Sequence, residues 1–521
     1  MSQCDRDAGR EISKSGKMGG FRMADETKGA VSPQGSEAAG IVWWRIIAPI
    51  ATAIILALIP APAGLGQHAW NYFALFAGVV AALVLEPLPS TAVGFVAITL
   101  TAVLSRWTLF STAELAKPGF NVASETVKWA LSGFASNTVW LVGGAFMLAL
   151  GYQKTGLGRR VALLMVRALG SSSLSLGYAA TFADTILAPF TPSNTARSAG
   201  TMFPVMINLP PLYDSKPNDP SARKIGGYVL WVTFAASCIT SSLFMTACAP
   251  NFLALDFIRK IAHVEISYKQ WFFAAAPFAV PLLLTLPLLA YVIYPPGIKK
   301  SPDIPAWAAR QLQEMGSFSR GEIVMSGLVL AAIVLWVFGA DYVDAAIVAF
   351  MVVSMMLICR VVTWDDMARN HSAWTTITLL ATLVAMADGL ARTGFIKWFA
   401  EFVAGHISGY PPMAVIVILV SVYFFSHYFF SSLTAHTTAM MPIMLGVGMG
   451  IQGLPGEKLA LALAMTTGLM GVISPYATGA ALPYYNSGYM TSAEFWRNGT
   501  IFGLIFLVAL LAIGVPLIGV L

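Results

Sequence analysis

Residues 191–200 read TPSNTARSAG, and residues 431–442 read SSLTAHTTAMMP. Both stretches lie between long apolar runs. Each carries the same phrase, Ser-x-Thr-Ala followed by a residue that can hold a positive charge. The first is Ser193-Asn194-Thr195-Ala196-Arg197 and the second is Ser432-Leu433-Thr434-Ala435-His436. A polar, proline-bearing segment is awkward as the middle of a single membrane-crossing helix. It fits the turn of a hairpin whose arms enter and leave on one side, which membranes tolerate when the backbone is buried in protein.

Composition places the chain in a membrane. Of 521 residues, 57% are hydrophobic and 11% charged, and the mean hydropathy is +0.72. Soluble domains carry about 25% charged residues, enough to coat a core of this size, and this chain lacks them. The net charge of +6 is modest. Its basic residues cluster in the polar first 40 positions and in short loops, so they report topology and not nucleic-acid binding. Cys4, Cys238, Cys248 and Cys359 show no metal or disulfide spacing. Residues 1–40 lack the short apolar core and cleavage site of a signal peptide. They read as a disordered cytoplasmic tail, followed by a membrane domain over 41–521.

A spanning helix needs about 20 apolar residues. Candidates are 43–61, 69–87, 90–106, 138–152, 226–247, 271–294, 322–340, 343–362, 374–390, 412–425, 459–474 and 500–520. Treating 176–208 and 412–447 as hairpins leaves about 11 transmembrane helices. The expected fold is therefore an all-α polytopic membrane protein. The positive-inside rule puts the N-terminus in the cytoplasm, with Lys154, Arg159, Arg160, Arg167, Lys224, Lys299 and Lys300 among the inner cations.

The halves resemble each other. Residues 139–162 and 373–400 align with Lys154-Thr155-Gly156 against Arg392-Thr393-Gly394. Just under 40 residues later comes each Ser-x-Thr phrase, and then a helix broken by polar residues and proline, at 241–251 and 468–480. The deduced topology places Lys154 inside and Arg392 outside, so the repeats, roughly 69–258 and 322–498, are inverted. Inverted repeats with discontinuous helices belong to secondary transporters that hold substrate near the midplane.

A hairpin tip presents unpaired N–H groups at the positive end of its second helix. Ser, Asn and Thr add short donors, and the whole suits a carboxylate. Two tips facing each other suit a molecule with a carboxylate at each end. Arg197 and His436 occupy the same slot in both copies and are expected to compensate the charge of such an anion. Asp184 is expected in a structural ion pair. His427, with no counterpart in the other copy, reads as packing.

These motifs resemble the divalent anion:sodium symporter family, and within it the bacterial branch of di- and tricarboxylate exchangers. The likeness runs from about residue 40 to the end. It rests on Ser193-Asn194-Thr195, on Ser432 and Thr434, and on the broken helix at Ser474-Pro475. It implies a homodimer in which a transport domain moves as an elevator against a fixed scaffold. It implies substrate-binding roles for Ser193, Asn194, Thr195, Ser432 and Thr434, with Thr246, Pro250, Ser474, Pro475 and Thr478 completing the cavity. Leu433 stands where sodium-coupled members carry Asn, which weakens one sodium site.

The expected function is antiport of succinate, malate, 2-oxoglutarate, tartrate or citrate across a bacterial inner membrane, with no cofactor, no metal and no nucleic-acid partner. The partners are carboxylate anions, the lipid bilayer and a second copy of the chain. The rival readings are a sodium-coupled dicarboxylate symporter, an intramembrane hydrolase and a channel.

Overall fold

Two glycines mark corresponding corners of the chain. Gly156 and Gly394 take φ of +76° and +81°, the left-handed region where a side chain is penalised. Each ends a long helix and starts a shorter one, which explains the Lys/Arg-Thr-Gly echo. A computed structural model describes residues 42–339, 342–407 and 410–519, with the backbone path alone for 403–407. The tail expected over 1–40 lies outside the described residues.

The helices used below are α1 (Trp43–Leu58), α2 (Gln67–Leu85), α3 (Ser90–Val103), α4 (Val122–Ser132), α5 (Asn137–Thr155), α6 (Leu157–Leu169) and α7 (Ser173–Leu187). A π-helix, Thr195–Met202, follows and runs into a short turn at Phe203–Met206. Then come α8 (Gly226–Leu243), α9 (Ala249–Phe257), α10 (Tyr268–Ile293), α11 (Asp303–Glu314), α12 (Arg320–Phe338), α13 (Ala345–Ile358) and α14 (His371–Arg392). The last are α15 (Phe395–Ile407), α16 (Pro412–Ser426), α17 (Leu433–Met449), α18 (Gly456–Leu469) and α19 (Ser492–Ala509). Among the described residues there is no strand, only an isolated bridge between Ser172 and Lys300.

Among the described residues, eight helices are long and apolar enough to cross a membrane, and α1, α3 and α13 are shorter apolar ones. The chain is an all-helical, multi-pass membrane protein. The span expected at 459–474 is α18 with a 3-10 turn to Val472; apart from Gly456, Glu457 and Lys458 at its start, its residues are buried inside the protein. Conversely, Pro412–Phe429, expected as a hairpin arm, is itself long enough to cross. Length and composition alone do not separate a lipid-facing span from a protein-buried arm.

The order of elements repeats. Helix α5, the Gly156 corner, α6, α7, a non-helical tip, a second arm and a broken helix (α8, the Met245–Ala247 turn, α9) make the first set. Helix α14, the Gly394 corner, α15, α16, a tip, α17 and a second broken helix (α18, the Met470–Val472 turn, an irregular stretch and a short helix Ala481–Asn486) make the second. The lipid-facing elements are recognisable by exposed apolar side chains, as on α1 with Trp44, Ile47, Ile54 and Leu58. Helix α8 is the opposite case, with all of its residues buried.

The two broken helices cross where small residues let them meet. A Cβ added to Gly468 would lie 2.6 Å from the Ser242 nitrogen, and Ser242 Oγ donates to the Met465 carbonyl at 2.6 Å. Close approach through Gly and Ser is how helices pack without a hydrophobic drive between them. Away from the centre, buried Arg160 on α6 bonds both carboxylate oxygens of Glu322 on α12. That pair pins α6 to the start of the second half.

Candidate functional site

The residues between α7 and the π-helix, 191–194, form one tip, and residues 430–432 between α16 and α17 form the other. Each tip serine caps its own second arm. Ser193 Oγ accepts from the Ala196 N–H at 3.1 Å, and Ser432 Oγ accepts from the Ala435 N–H at 3.4 Å. The shared Ser-x-Thr-Ala phrase is thus a helix cap in both copies. A serine that accepts from the backbone still has its own O–H to donate.

Between the tips lies a cavity of about 340 Å³. Ser193, Asn194 and Thr195 line it from the first tip, and Ser432, Leu433 and Thr434 from the second. Thr478 and Gly479 come from the second broken helix, and Cys248, Ala249 and Pro250 from the first. Asn194 Nδ2 donates to Thr478 Oγ1 at 3.1 Å, tying the first tip to the other half's broken helix. The matching position to Asn194 is Leu433, and the matching position to Thr478 is Cys248. One side of the cavity is therefore cross-linked by a polar pair and the other is walled by Leu and Cys.

Sequence reasoning missed three hydroxyls, of which one is Ser431 in the second tip. Ser372 and Thr376, one turn apart on α14, also line the cavity, with Leu379 and Leu380 further along the same helix. The signal was present: residues spaced four apart share a helix face, and this face carries hydroxyls near the start of an otherwise apolar span.

Five expected site residues do not line the cavity. Thr246 Oγ1 donates to the Pro189 carbonyl at 2.6 Å, bracing the turn that precedes the first tip. Ser474 and Pro475 are buried in the second break, behind Thr478 in the chain. Arg197 is wholly buried and does not line the cavity. Its Nε donates to Asp184 Oδ1 at 3.1 Å, and its Nη1 to the carbonyls of Thr191 and Ala247 at 3.1 and 2.9 Å. Its Nη2 reaches the Ser237 carbonyl and the hydroxyls of Thr240 and Ser241. A guanidinium with every donor occupied and a carboxylate partner has no charge left for a ligand. Asp184 takes the structural role expected of it.

His436 is also buried, in a box of aromatic rings. Its ring lies 4.5 Å from Tyr423, 4.8 Å from Phe430 and 5.0 Å from His427, centroid to centroid. Its Nε2 is 2.9 Å from Ser426 Oγ on the arm that precedes it. The expectation that Arg197 and His436 compensate substrate charge at the cavity is corrected: neither lines it, because Arg197 is held by Asp184, α8 and the first break, and His436 is enclosed by Tyr423, Phe430 and His427.

The cavity's positive character comes from backbone. The π-helix, α9 and α17 each begin at its wall. Each start carries unpaired N–H groups and roughly half a positive charge. No charged side chain lines the cavity among the described residues. No group of three or more His, Cys, Asp or Glu suited to a metal ion occurs among them either.

The profile of the family described as "Sodium:sulfate symporter transmembrane region" matches residues 41–520. The citrate/succinate antiporter of Escherichia coli K12 is 48% identical over 475 residues, which is 91% of this chain and 98% of that protein. The L-tartrate/succinate antiporter of the same strain is 47% identical over 472 residues, 91% and 97% of the two chains. The crystal structure of the Alcanivorax borkumensis YdaH transporter superposes with a TM-score of 0.54 at 13% identity, over 83% of this chain and 98% of that one. That last likeness is one of fold.

Proposed function

The chain belongs to the sodium:sulfate symporter transmembrane family, and from that membership we propose that it is an antiporter exchanging di- or tricarboxylates of the succinate, tartrate and citrate type. The observation that carries the reading is the cavity between the two capped tips. Its walls offer hydroxyls, an amide and three positive helix ends, and no acid. That is a receptor for carboxylates. Relatives at 47–48% identity named as citrate/succinate and tartrate/succinate antiporters support the same class.

Ser193, Asn194, Thr195, Ser432, Thr434 and Thr478 bind the anion in this reading, and Ser372 and Thr376 add contacts from α14. A bound dianion neutralises the helix ends; an empty cavity leaves them without a counter-charge in a low-dielectric setting. The loaded transport half then crosses as an elevator and the empty one does not, so transport is exchange. The Leu433 and Cys248 wall supports operation without sodium, since neither side chain offers a hard oxygen ligand. The working unit in this reading is a homodimer in a bacterial inner membrane, N-terminus in the cytoplasm.

A hydrolase finds no support in the geometry. His436 bonds Ser426, not Ser432, and Ser432 is engaged as a helix cap.

The test is uptake of labelled succinate into proteoliposomes. The expected result is uptake that needs internal succinate or citrate and is unchanged when choline replaces sodium. Uptake into empty vesicles driven by a sodium gradient would overturn the reading in favour of symport.

A further inference from the structure

A second cavity, of about 520 Å³, opens further along α5. The central cavity touches α5 at Phe146 and the second arm at Thr195. This one touches α5 at Tyr152 and the π-helix at Gly200 and Thr201. Six residues of helix separate the two positions on α5, a rise of about 9 Å. Both cavities are thus bordered by α5 and by the second arm of the first hairpin, at successive levels along the chain. The far wall is made by Arg159 of α6 and by Trp307 and Gln311 of α11.

Three cations stand at this corner, and their partners differ. Lys154 pairs with Asp366 and Arg160 with Glu322. Arg159 donates to the neutral Gln311 side chain at 2.7 Å and has no carboxylate partner among the described residues. No acidic side chain lines the cavity there, while Gln153, Thr201 and Asn208 add neutral polar groups. Tyr152 forms part of the wall, and its buried hydroxyl has no hydrogen-bond partner. An uncommitted guanidinium beside neutral donors is a carboxylate receptor without its carboxylate.

We propose that this cavity is a second carboxylate site, where the di- or tricarboxylate waits on its way into or out of the central cavity. The proposal rests on the exchange reading for the identity of its ligand. A waiting anion beside the exit favours exchange, because the next anion is at hand when the first leaves. Arg159 attracts it, and Gln153 and Thr201 offer neutral polar contacts at the wall.

Equilibrium dialysis of labelled succinate against the full chain in lipid nanodiscs tests this. The wild-type chain is expected to bind two succinates. Arg159→Gln should weaken one of them about tenfold, the loss of a charge-assisted hydrogen bond, and leave the other unchanged. Gly200→Trp supplies a second variant: a Cβ there meets nothing within 4 Å, so the ring can fill the cavity and should abolish the same class. Ser432→Ala should weaken only the other class. One succinate per wild-type chain, or two unaltered classes in both Arg159→Gln and Gly200→Trp, overturns the second site. A chain that exchanges but binds once refutes the second site alone. A chain that fails to exchange refutes the exchange reading, whatever its stoichiometry.

Discussion

Arg197 and His427 hold matching carbonyls in the two halves. Arg197 Nη1 donates to the Ala247 oxygen at 2.9 Å, and His427 Nε2 lies 2.9 Å from the Ala477 oxygen. Ala247 ends the turn that precedes α9, and Ala477 lies in the irregular stretch that precedes Ala481–Asn486, so each carbonyl belongs to the break of its own helix. Because a carbonyl can only accept, His427 must carry its proton on Nε2. The sequence pairing of Arg197 with His436 is therefore not the functional pairing. The chain solves one problem, an unpaired carbonyl at each helix break, with a residue from a different place in each hairpin. The same logic extends one step further: Thr246 donates to the Pro189 oxygen, and Tyr476 donates to the Tyr428 oxygen at 3.0 Å.

His427→Phe removes the donor to Ala477 and leaves a buried carbonyl unpaired. A loss of about 1–3 kcal/mol is expected, read as a lower apparent melting temperature in detergent. His427→Gln, which restores an N–H donor, should recover part of it.

Arg197→Ala leaves Asp184 as a buried, uncompensated charge. Such losses run about 3–5 kcal/mol, so the variant should be poorly folded as well as inactive. Thermal unfolding together with succinate exchange separates this from a purely substrate-binding role. Asp184→Asn combined with Arg197→Met should be less destabilised than the sum of the two single changes.

Asn194→Ala and Thr478→Val each break the polar tie across the cavity. Exchange should fall about tenfold or more in either, from one lost hydrogen bond and a loosened tip. The double variant should lose less than the sum of the two single losses, because the tie between them is lost once in all three. Initial rates of succinate self-exchange measure it.

Thr376→Val keeps the shape of α14 and removes one hydroxyl from the cavity wall. The expected effect is a several-fold rise in KM for succinate with unchanged stability, at a cost of about 0.5–1.5 kcal/mol in binding. An unchanged KM would remove α14 from the binding surface.

Gly468→Ala places a methyl 2.4–2.7 Å from Ser241 and Ser242 atoms, backbone among them. The broken helices would have to separate, at about 1–3 kcal/mol. Melting temperature and exchange should fall together.

Much of this protein was written in local sequence. Apolar runs of membrane length, the Gly156 and Gly394 corners, and the serines that cap each second arm depend on residues within one or two turns of each other. Their physical causes are helix periodicity, left-handed φ and N-capping, and each is visible in a short window. Ser193, Asn194, Thr195, Ser432 and Thr434 were legible as cavity walls for the same reason.

The direction in which a side chain points was not. Arg197 at the head of a hairpin reads alike whether it faces a ligand or the protein. Its partners lie 13, 43, 44 and 50 residues away, and only the packing of α7, α8 and the first break brings them within reach. Ser372 and Thr376 joined the site because α14 crosses both tips. His427 found its carbonyl across 50 residues. Burying a polar group requires a partner, and which partner serves is decided by the tertiary fold.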